Sequence, residues 1–192
     1  GIYDKNQDDQ FLKEIGGYLT YIGSIIVRKD LWIKYFDKKA IGSFFAHINC
    51  IANIKIGRRA HYFPLPAINM RIGSQTWTKQ SFLIWHKFYP EIIWNLKNYS
   101  REAKQSVISE YPIKSLKVLI ASRAYKRFNF NIWKNIILSS EEISRITKYI
   151  SFFIAIIPSK LFSFLYIFYI KTYRRKHTFS FSPKLALEKL KV

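Results

Sequence analysis

The chain has 192 residues, which is enough to bury one hydrophobic core with an appendage. Its single cysteine, Cys50, excludes an internal disulfide and a cysteine-based metal cage. The 32 Lys and Arg against 12 Asp and Glu give a net charge of +20, which favours partners that carry phosphate, such as nucleic acid, anionic lipid or diphosphate-linked sugars.

The part of the chain up to Trp77 is predicted to alternate helices with short strands. Asp8 or Asp9 before an apolar stretch, and Gly16-Gly17 after it, indicate a helix over Asp8–Ile15. Residues 18–27 are rich in aromatic and β-branched side chains, which predicts a buried strand. The remaining predicted elements are a helix capped by Asp30 and running through Lys38, a helix capped by Ser43 and stopped by Gly57, and two strands over residues 60–65 and 67–72.

From residue 78 onward the sequence predicts a run of helices. The segments are residues 78–88, 90–98, 101–109, 113–128 and 132–138. Pro90 and Pro112 stand in the first turns of their helices, where a missing N–H costs nothing. Aromatic stripes such as Phe82, Trp85 and Phe88 are more typical of a packed core than of a ligand platform.

The segment after residue 138 is predicted to associate with a membrane surface. Ser139-Ser140-Glu141-Glu142 is a capping-box pattern that would open a helix running into residues 149–170. The only charge in residues 149–170 is Lys160, which sits mid-way beside Pro158 and would be costly at a bilayer centre. We therefore expect two linked amphipathic helices in the interface, followed by a polybasic end. The expected lipid-binding residues are Lys160, Lys171, Arg174, Arg175 and Lys176. An ordinary buried helix pair is the alternative.

Common catalytic and metal-binding patterns do not occur in the sequence. The four histidines lack metal-ligand spacing, and there is no Gly-x-Ser-x-Gly elbow or phosphate-binding glycine loop. The acidic pair Asp8-Asp9 follows a polar stretch rather than a strand, which favours a helix cap over a metal site. Between Asp37 and Glu91 there is no carboxylate but eight Lys or Arg, a field that attracts phosphates. An AT-rich genome would also produce abundant lysine without any such role.

The order of several short motifs between Tyr18 and Trp77 resembles a known family. The motifs are Tyr21-Ile22-Gly23-Ser24, Arg28-Lys29-Asp30-Leu31-Trp32, Gly42-Ser43-Phe44-Phe45-Ala46-His47, and Asn69-Met70-Arg71-Ile72-Gly73 with Trp77 beyond it. This order resembles the acceptor-side half of a family 2 glycosyltransferase and is similar to the abequosyltransferase-like branch. The resemblance covers roughly residues 10 to 130. It implies an α/β fold, the C-terminal part of a GT-A nucleotide-sugar transferase with few strands and mostly helices, followed by the amphipathic helices.

The resemblance also implies site residues. The family's usual Glu-Asp pair falls at Phe45 and Ala46 when its spacing is counted back from Gly57, which leaves His47 as the candidate catalytic base. An imidazole of near-neutral pKa can deprotonate an acceptor hydroxyl. A histidine that merely orients a neighbouring loop fits equally well. The candidate substrate-binding residues are Arg71 on the diphosphate, Trp77 over a sugar face, Gly23 and Ser24 near the acceptor, and Gly42, Ser43 and Asn69. Ser74 stands where the family pattern has Asn.

The resemblance implies an inverting transfer from a nucleotide-sugar donor to a lipid-linked or polysaccharide acceptor in bacterial surface polysaccharide synthesis. Its place would be the cytoplasmic face of the inner membrane. A divalent metal, Mg or Mn, and the donor would bind outside this chain, whose polar opening is typical of a loop within a longer protein. The expected organisation is an acceptor-side part over residues 1–77, a helical extension over 78–138, membrane-associating helices over 139–177 and a tail over 178–192.

Two other functions compete with the transferase. Arg123-Ala124-Tyr125-Lys126-Arg127-Phe128 interleaves aromatic and basic side chains, as a basic nucleic-acid-binding module would. The apolar run of residues 149–170 does not suit such a module, so nucleic acid is the less favoured partner. A membrane-associated structural subunit without catalysis is the third possibility.

Overall fold

The computed structural model describes residues 1–41, 44–63 and 80–173. These residues belong to two compact units. The first has its described residues within Gly1–Thr78 and Leu83–Pro112, and the second within Lys79–Phe82 and Ile113–Val192. The division at Pro112 falls inside the predicted helical extension. Each unit is described by itself below.

The first unit is a cluster of helices with one short ladder. Its described elements are strand β1 (Ile2–Tyr3), helix α1 (Asp8–Ile15), helix α2 (Lys29–Tyr35), helix α3 (Ala46–Lys55), strand β2 (Ala60–His61), most of helix α4 and helix α5 (Arg101–Val107). Helix α4 consists of three consecutive stretches, Ser81–Leu83, the π-helical Ile84–Phe88, and Tyr89–Trp94. Strands β1 and β2 pair antiparallel, with Ile2 opposite His61. Short 3-10 turns occur at Tyr18–Thr20, Ile22–Ser24 and Lys38–Ala40.

The core of the first unit lies among α1, α3, α4 and α5. Leu12, Ile48 and Ile93 are fully buried at its centre. Two buried tyrosines connect these helices through their hydroxyls, since Tyr99 donates to Ala52 O at 2.9 Å and Tyr89 donates to Gly16 O at 3.1 Å. Both hydroxyls satisfy a helix carbonyl while the ring fills the core, which favours one packing arrangement.

An ion pair joins α1 to the end of α3. The Lys55 ammonium, 2% exposed, lies 2.7 Å from Asp8 Oδ1 and also donates to Asp4 O at 3.1 Å. Asp9 accepts from the Ser100 N–H at 2.9 Å. The cap role expected for the acidic pair is wrong, because Gln7 stands at the N-cap of α1 and no side chain caps that end. Asp8 and Asp9 lie in the first turn, where they hold chain segments together.

All described secondary-structure elements of the second unit are helices or helical turns. Its helices are α6 (Leu116–Ala124), α7 (Phe130–Ile132 continuing as the π-helical Trp133–Ile137), α8 (Arg145–Ile156) and α9 (Ser159–Tyr173), with a 3-10 turn at Pro112–Lys114 between the units. Phe82 and Phe128 are fully buried, with ring centroids 5.3 Å apart. Leu119 of α6, Ile137 of α7 and Ile154 of α8 complete this core.

The predictions for α1, for the end of α3 and for the break between α8 and α9 are confirmed. Helix α1 spans Asp8–Ile15. Gly57 follows α3 with φ +64°, a left-handed conformation that favours glycine and ends the helix. Helices α8 and α9 are separate and meet at 101° around Pro158. The described chain is mostly helical with one two-stranded ladder, in agreement with the expected few strands and many helices.

The predicted strand over residues 18–27 is wrong. This segment forms two 3-10 turns whose backbone is satisfied locally, for example by Ser24 N–H to Tyr21 O at 3.1 Å. Ile26 is 96% exposed and Ile22 is 56% exposed. A strand needs a neighbouring strand for its N–H and C=O groups, and the described residues supply only the β1–β2 ladder. Strong β propensity therefore did not produce a strand here.

Several predicted helix limits are also wrong. Arg28 rather than Asp30 precedes α2, which ends at Tyr35, and Phe45 rather than Ser43 stands at the N-cap of α3. Pro90 lies in the first turn of the stretch Tyr89–Trp94, yet that stretch continues from a π-helical turn, so residues 81–94 form one helix. A π-helical turn can accommodate the missing proline N–H. The second strand predicted for the first unit, residues 67–72, lies outside the described residues.

The predicted capping box at Ser139 does not open a helix. Ser144 caps α8, because its Oγ accepts from the Thr147 N–H at 3.2 Å. Ser139 instead donates from its Oγ to Asn135 O at 2.8 Å, at the end of α7. Ser139 therefore belongs to the end of the preceding turn, and the cap of the next helix is Ser144.

Candidate functional site

His47 lies in the first turn of α3 and is 7% exposed. Its Nε2 is 2.8 Å from Leu19 O, and because a carbonyl oxygen only accepts, Nε2 carries the hydrogen. Burial lowers the pKa of the imidazole below its ordinary value, and the hydrogen bond to Leu19 partly opposes this shift. The imidazole is therefore neutral at pH 7 and ties the Tyr18–Thr20 turn to α3.

The other predicted substrate-binding residues divide into two groups. Gly23 and Ser24 occupy the exposed turn Ile22–Ser24, where Ser24 Oγ donates to Tyr21 O at 2.8 Å. The prediction that this pair is buried is wrong, because the segment forms exposed turns instead of a strand. Gly42, Ser43, Asn69, Arg71 and Trp77 lie outside the described residues.

An open cleft of about 440 Å³ lies beside the start of α3. Its polar lining comes from Asn49 and Asn53 of α3, Asn95 and Asn98 after α4, and Lys97. Phe45, Ala40, Ala46 and Ile92 supply the apolar lining. His47 is not a lining residue, although its neighbour Ala46 is. The sequence did not predict this cleft. The one indication of it was the four-residue spacing of Asn49 and Asn53, which puts both amides on one face of a helix.

In the second unit, α8 and α9 each carry several exposed apolar side chains. The exposed apolar side chains are Ile146, Tyr149, Ile150, Phe153 and Ile156 of α8 with Leu161, Phe164, Leu165 and Phe168 of α9. We call this set the α8–α9 apolar surface. Lys160, predicted to bind lipid, is exposed in the first turn of α9, and Lys171 lies in its last turn. Arg174, Arg175 and Lys176 lie outside the described residues.

The bend between α8 and α9 is fixed by α6. Arg123 donates to Ile157 O from Nε at 3.1 Å and from Nη2 at 2.7 Å, so its charge faces the C-terminal end of α8. Ser163 Oγ donates to Ala124 O at 2.7 Å and joins α9 to α6. No single described helix has the length and hydropathy to cross a membrane, but α8 together with Ser159–Phe168 passes that test as a bent pair.

The basic cluster around residues 123–128 has a structural role. Arg123 also donates to Phe128 O at 3.0 Å. Arg127 is half-buried with its guanidinium 5.4 Å from the Tyr125 ring centroid, and burial lowers the pKa of this guanidinium. Two of the cations proposed to hold nucleic-acid phosphates are thus directed toward the protein itself.

In the part of the chain that the structure describes, no group of three or more His, Cys, Asp or Glu side chains could hold a metal ion. The described residues therefore do not fit the divalent metal that the resemblance implies. Comparison of the chain with family models, with curated proteins and with solved structures found no match.

Proposed function

We propose that this chain is the acceptor-side part of an inverting, family 2-like glycosyltransferase. It would transfer a sugar from a nucleotide-sugar donor to a lipid-linked or polysaccharide acceptor of bacterial surface polysaccharide, at the cytoplasmic face of the inner membrane. The observation that carries the proposal is the α8–α9 apolar surface, because an enzyme with a lipid-linked acceptor must work where that lipid lies. The order of motifs in residues 21–77 supports the transferase part.

The α8–α9 apolar surface has the character of an interfacial membrane contact. Exposed apolar residues are contributed by both helices, whereas single exposed apolar side chains are ordinary on any protein. Residues 113–173 contain ten Lys or Arg and two Glu. Arg123 and Lys148 bind helix ends, but exposed cations such as Lys160 favour attraction to anionic lipid. The 101° bend, held by Arg123 and Ser163, suits helices that lie along a bilayer surface.

Within this proposal, His47 is the base and Arg71 contacts the donor diphosphate. Since Nε2 of His47 is engaged by Leu19 O, the base would act through Nδ1, whose lone pair is available in this tautomer. The donor and its divalent metal are proposed to bind residues outside this chain. The chain by itself is therefore expected to be inactive.

The membrane part of the proposal is tested by co-sedimentation with vesicles. We expect binding to vesicles of phosphatidylcholine and phosphatidylglycerol mixed two to one, weaker binding to phosphatidylcholine alone, and partial loss in high salt. Labelled DNA and RNA serve as the competing ligands in the same buffers. A salt-dependent shift of nucleic acid without vesicle binding would replace this proposal with the nucleic-acid-binding alternative.

The catalytic part is tested on a longer protein in which the upstream half is joined to this chain. We expect sugar transfer from a nucleotide-sugar donor only in the longer protein. His47→Ala and Arg71→Ala should each reduce the turnover at least a hundredfold, while Lys29→Ala, on exposed α2, should not. If both variants keep full activity, the site assignment is wrong even though the transferase proposal stands.

A further inference from the structure

The cleft beside α3 concentrates side-chain amides. Four of the nine asparagines in the chain, Asn49, Asn53, Asn95 and Asn98, line it. Its volume of about 440 Å³ falls within the range of about 300–1,000 Å³ typical of small-molecule sites. We infer that this cleft binds a sugar ring of a neutral saccharide. That the saccharide is the acceptor rests on the proposed function.

The geometry of two of these amides suits neighbouring hydroxyl groups. Asn53 Nδ2 donates to Asn49 Oδ1 at 3.2 Å, so the pair is oriented before any ligand arrives. This bond leaves the Asn49 Nδ2 hydrogens as donors and the Asn53 Oδ1 as an acceptor, side by side on one helix face. Adjacent hydroxyls of a sugar ring need such a donor and acceptor together, because each hydroxyl both donates and accepts.

The apolar and charged residues that line the cleft also indicate which kind of ligand it binds. Phe45 and Ile92 give the cleft an apolar wall on which the C–H face of a sugar ring can pack. No carboxylate occurs among the described residues that line the cleft, which disfavours a metal ion or a cationic ligand there. Among the described lining residues Lys97 is the one cation, and a single exposed lysine suits a diphosphate poorly. A neutral polyhydroxylated ring fits this combination.

The test is a titration of the full chain, in a detergent without a sugar head group, observed by the proton–nitrogen NMR signals of its asparagine side chains. The probes are D-galactose, D-mannose, L-rhamnose and N-acetyl-D-glucosamine, with inorganic phosphate as the anionic competitor. At least one sugar should shift the signals of Asn49, Asn53, Asn95 and Asn98 at millimolar concentration. Asn53→Ala should weaken this sugar tenfold or more. Asn135→Ala, which removes an exposed amide from α7 in the other unit, should leave the affinity unchanged.

Three results would overturn the inference. They are no shift with any of the sugars, equal shifts at the Asn135 amide, or stronger shifts with phosphate than with every sugar. If Asn53→Ala does not fold, as judged by its thermal transition, Asn98→Ala in the exposed turn takes its place. If the chain binds sugar but the longer protein transfers none, only the proposed function is contradicted. If the longer protein transfers sugar equally well with Asn53→Ala or Asn98→Ala, only the role of the cleft is contradicted.

Discussion

Replacing one exposed phenylalanine of α9 should weaken membrane binding by an amount that the structure allows to be calculated. Phe164 is 68% exposed on the α8–α9 apolar surface. Full burial of a phenylalanine side chain is worth about 1.5–3 kcal/mol. Scaled by the exposed fraction, moving Phe164 into the lipid interface contributes about 1–2 kcal/mol, which corresponds to a roughly five- to thirty-fold change in partition coefficient.

The assay is partition onto vesicles of phosphatidylcholine and phosphatidylglycerol mixed two to one, for the wild type, Phe164→Ala and Phe63→Ala. Phe63 is the matched control, since it is 75% exposed but belongs to the first unit. Phe164→Ala should lower the partition coefficient five- to thirty-fold and Phe63→Ala should change it less than twofold. Equal effects of the two substitutions, or no effect of Phe164→Ala, would refute the assignment of the α8–α9 apolar surface to the bilayer.

Three further predictions concern stability, measured as the free energy of unfolding in urea. Asp8→Asn should cost about 1.5–3 kcal/mol, because the Lys55 ammonium, 2% exposed, loses its bond to a carboxylate that is 22% exposed. Asp4→Asn, which breaks the exposed pair with Arg59, should cost less than about 1 kcal/mol, and similar losses would contradict this account. Burial lowers the pKa of the His47 imidazole in the folded state. As the pH falls below about 6.5, the unfolded state therefore binds a proton at His47 before the folded state does. The free energy of unfolding should then decrease by up to about 1.4 kcal/mol per pH unit. His47→Gln should remove that part of the loss between pH 7.5 and 5.5, and an unchanged profile would show that His47 is not its source. Arg123→Met should lower the free energy of unfolding by about 1.5–3 kcal/mol, because the hydrogen bonds to Ile157 O are lost. Arg123→Lys should not keep the wild-type stability, since an ammonium cannot reproduce the contact made by two guanidinium nitrogens. Full stability of Arg123→Lys would contradict the argument.

The sequence predicted helix ends correctly where a single residue determines the backbone conformation. Gly57 can adopt a left-handed conformation at no steric cost, so the end of α3 follows from the sequence. Pro158 disfavours a continuous helix, and the break between α8 and α9 occurs there. The exposed apolar side chains of α8 and α9 were also foreseen in part, because a long apolar run interrupted by proline and lysine is typical of two helices with apolar faces.

Signals that depend on a distant partner failed. Residues 18–27 have strand-like composition, but β propensity expresses how well a side chain fits a sheet surface, and no sheet receives this segment in the described chain. The cleft beside α3 was missed for the same reason, since Asn95 and Asn98 approach Asn49 and Asn53 only through tertiary packing. His47 was noticed for its residue type, and its bond to Leu19 O could not be read from the sequence.

The structure also explains how a chain with so few carboxylates stabilises its helices. Basic side chains donate to the C-terminal carbonyls of four helices within the described residues. The pairs are Arg58 with Ile54 O and Ile56 O of α3, Lys104 with Trp94 O of α4, Lys148 with Leu138 O of α7, and Arg123 with Ile157 O of α8. The C-terminal end of a helix carries a partial negative charge, so each cation there replaces an acidic partner.

This use of cations changes what the net charge of +20 means. A basic side chain that binds a helix end or, like the buried Lys55, a partly buried carboxylate is committed to the fold and adds little to a phosphate-binding surface. Arg123, which the sequence offered to nucleic acid, is among the committed cations. Lys160 differs, because it is exposed at the start of α9 beside apolar side chains. An exposed lysine beside apolar side chains suits an anionic bilayer, which can bind the charge and bury the apolar groups. A nucleic-acid backbone could bind the charge but would leave those apolar side chains exposed.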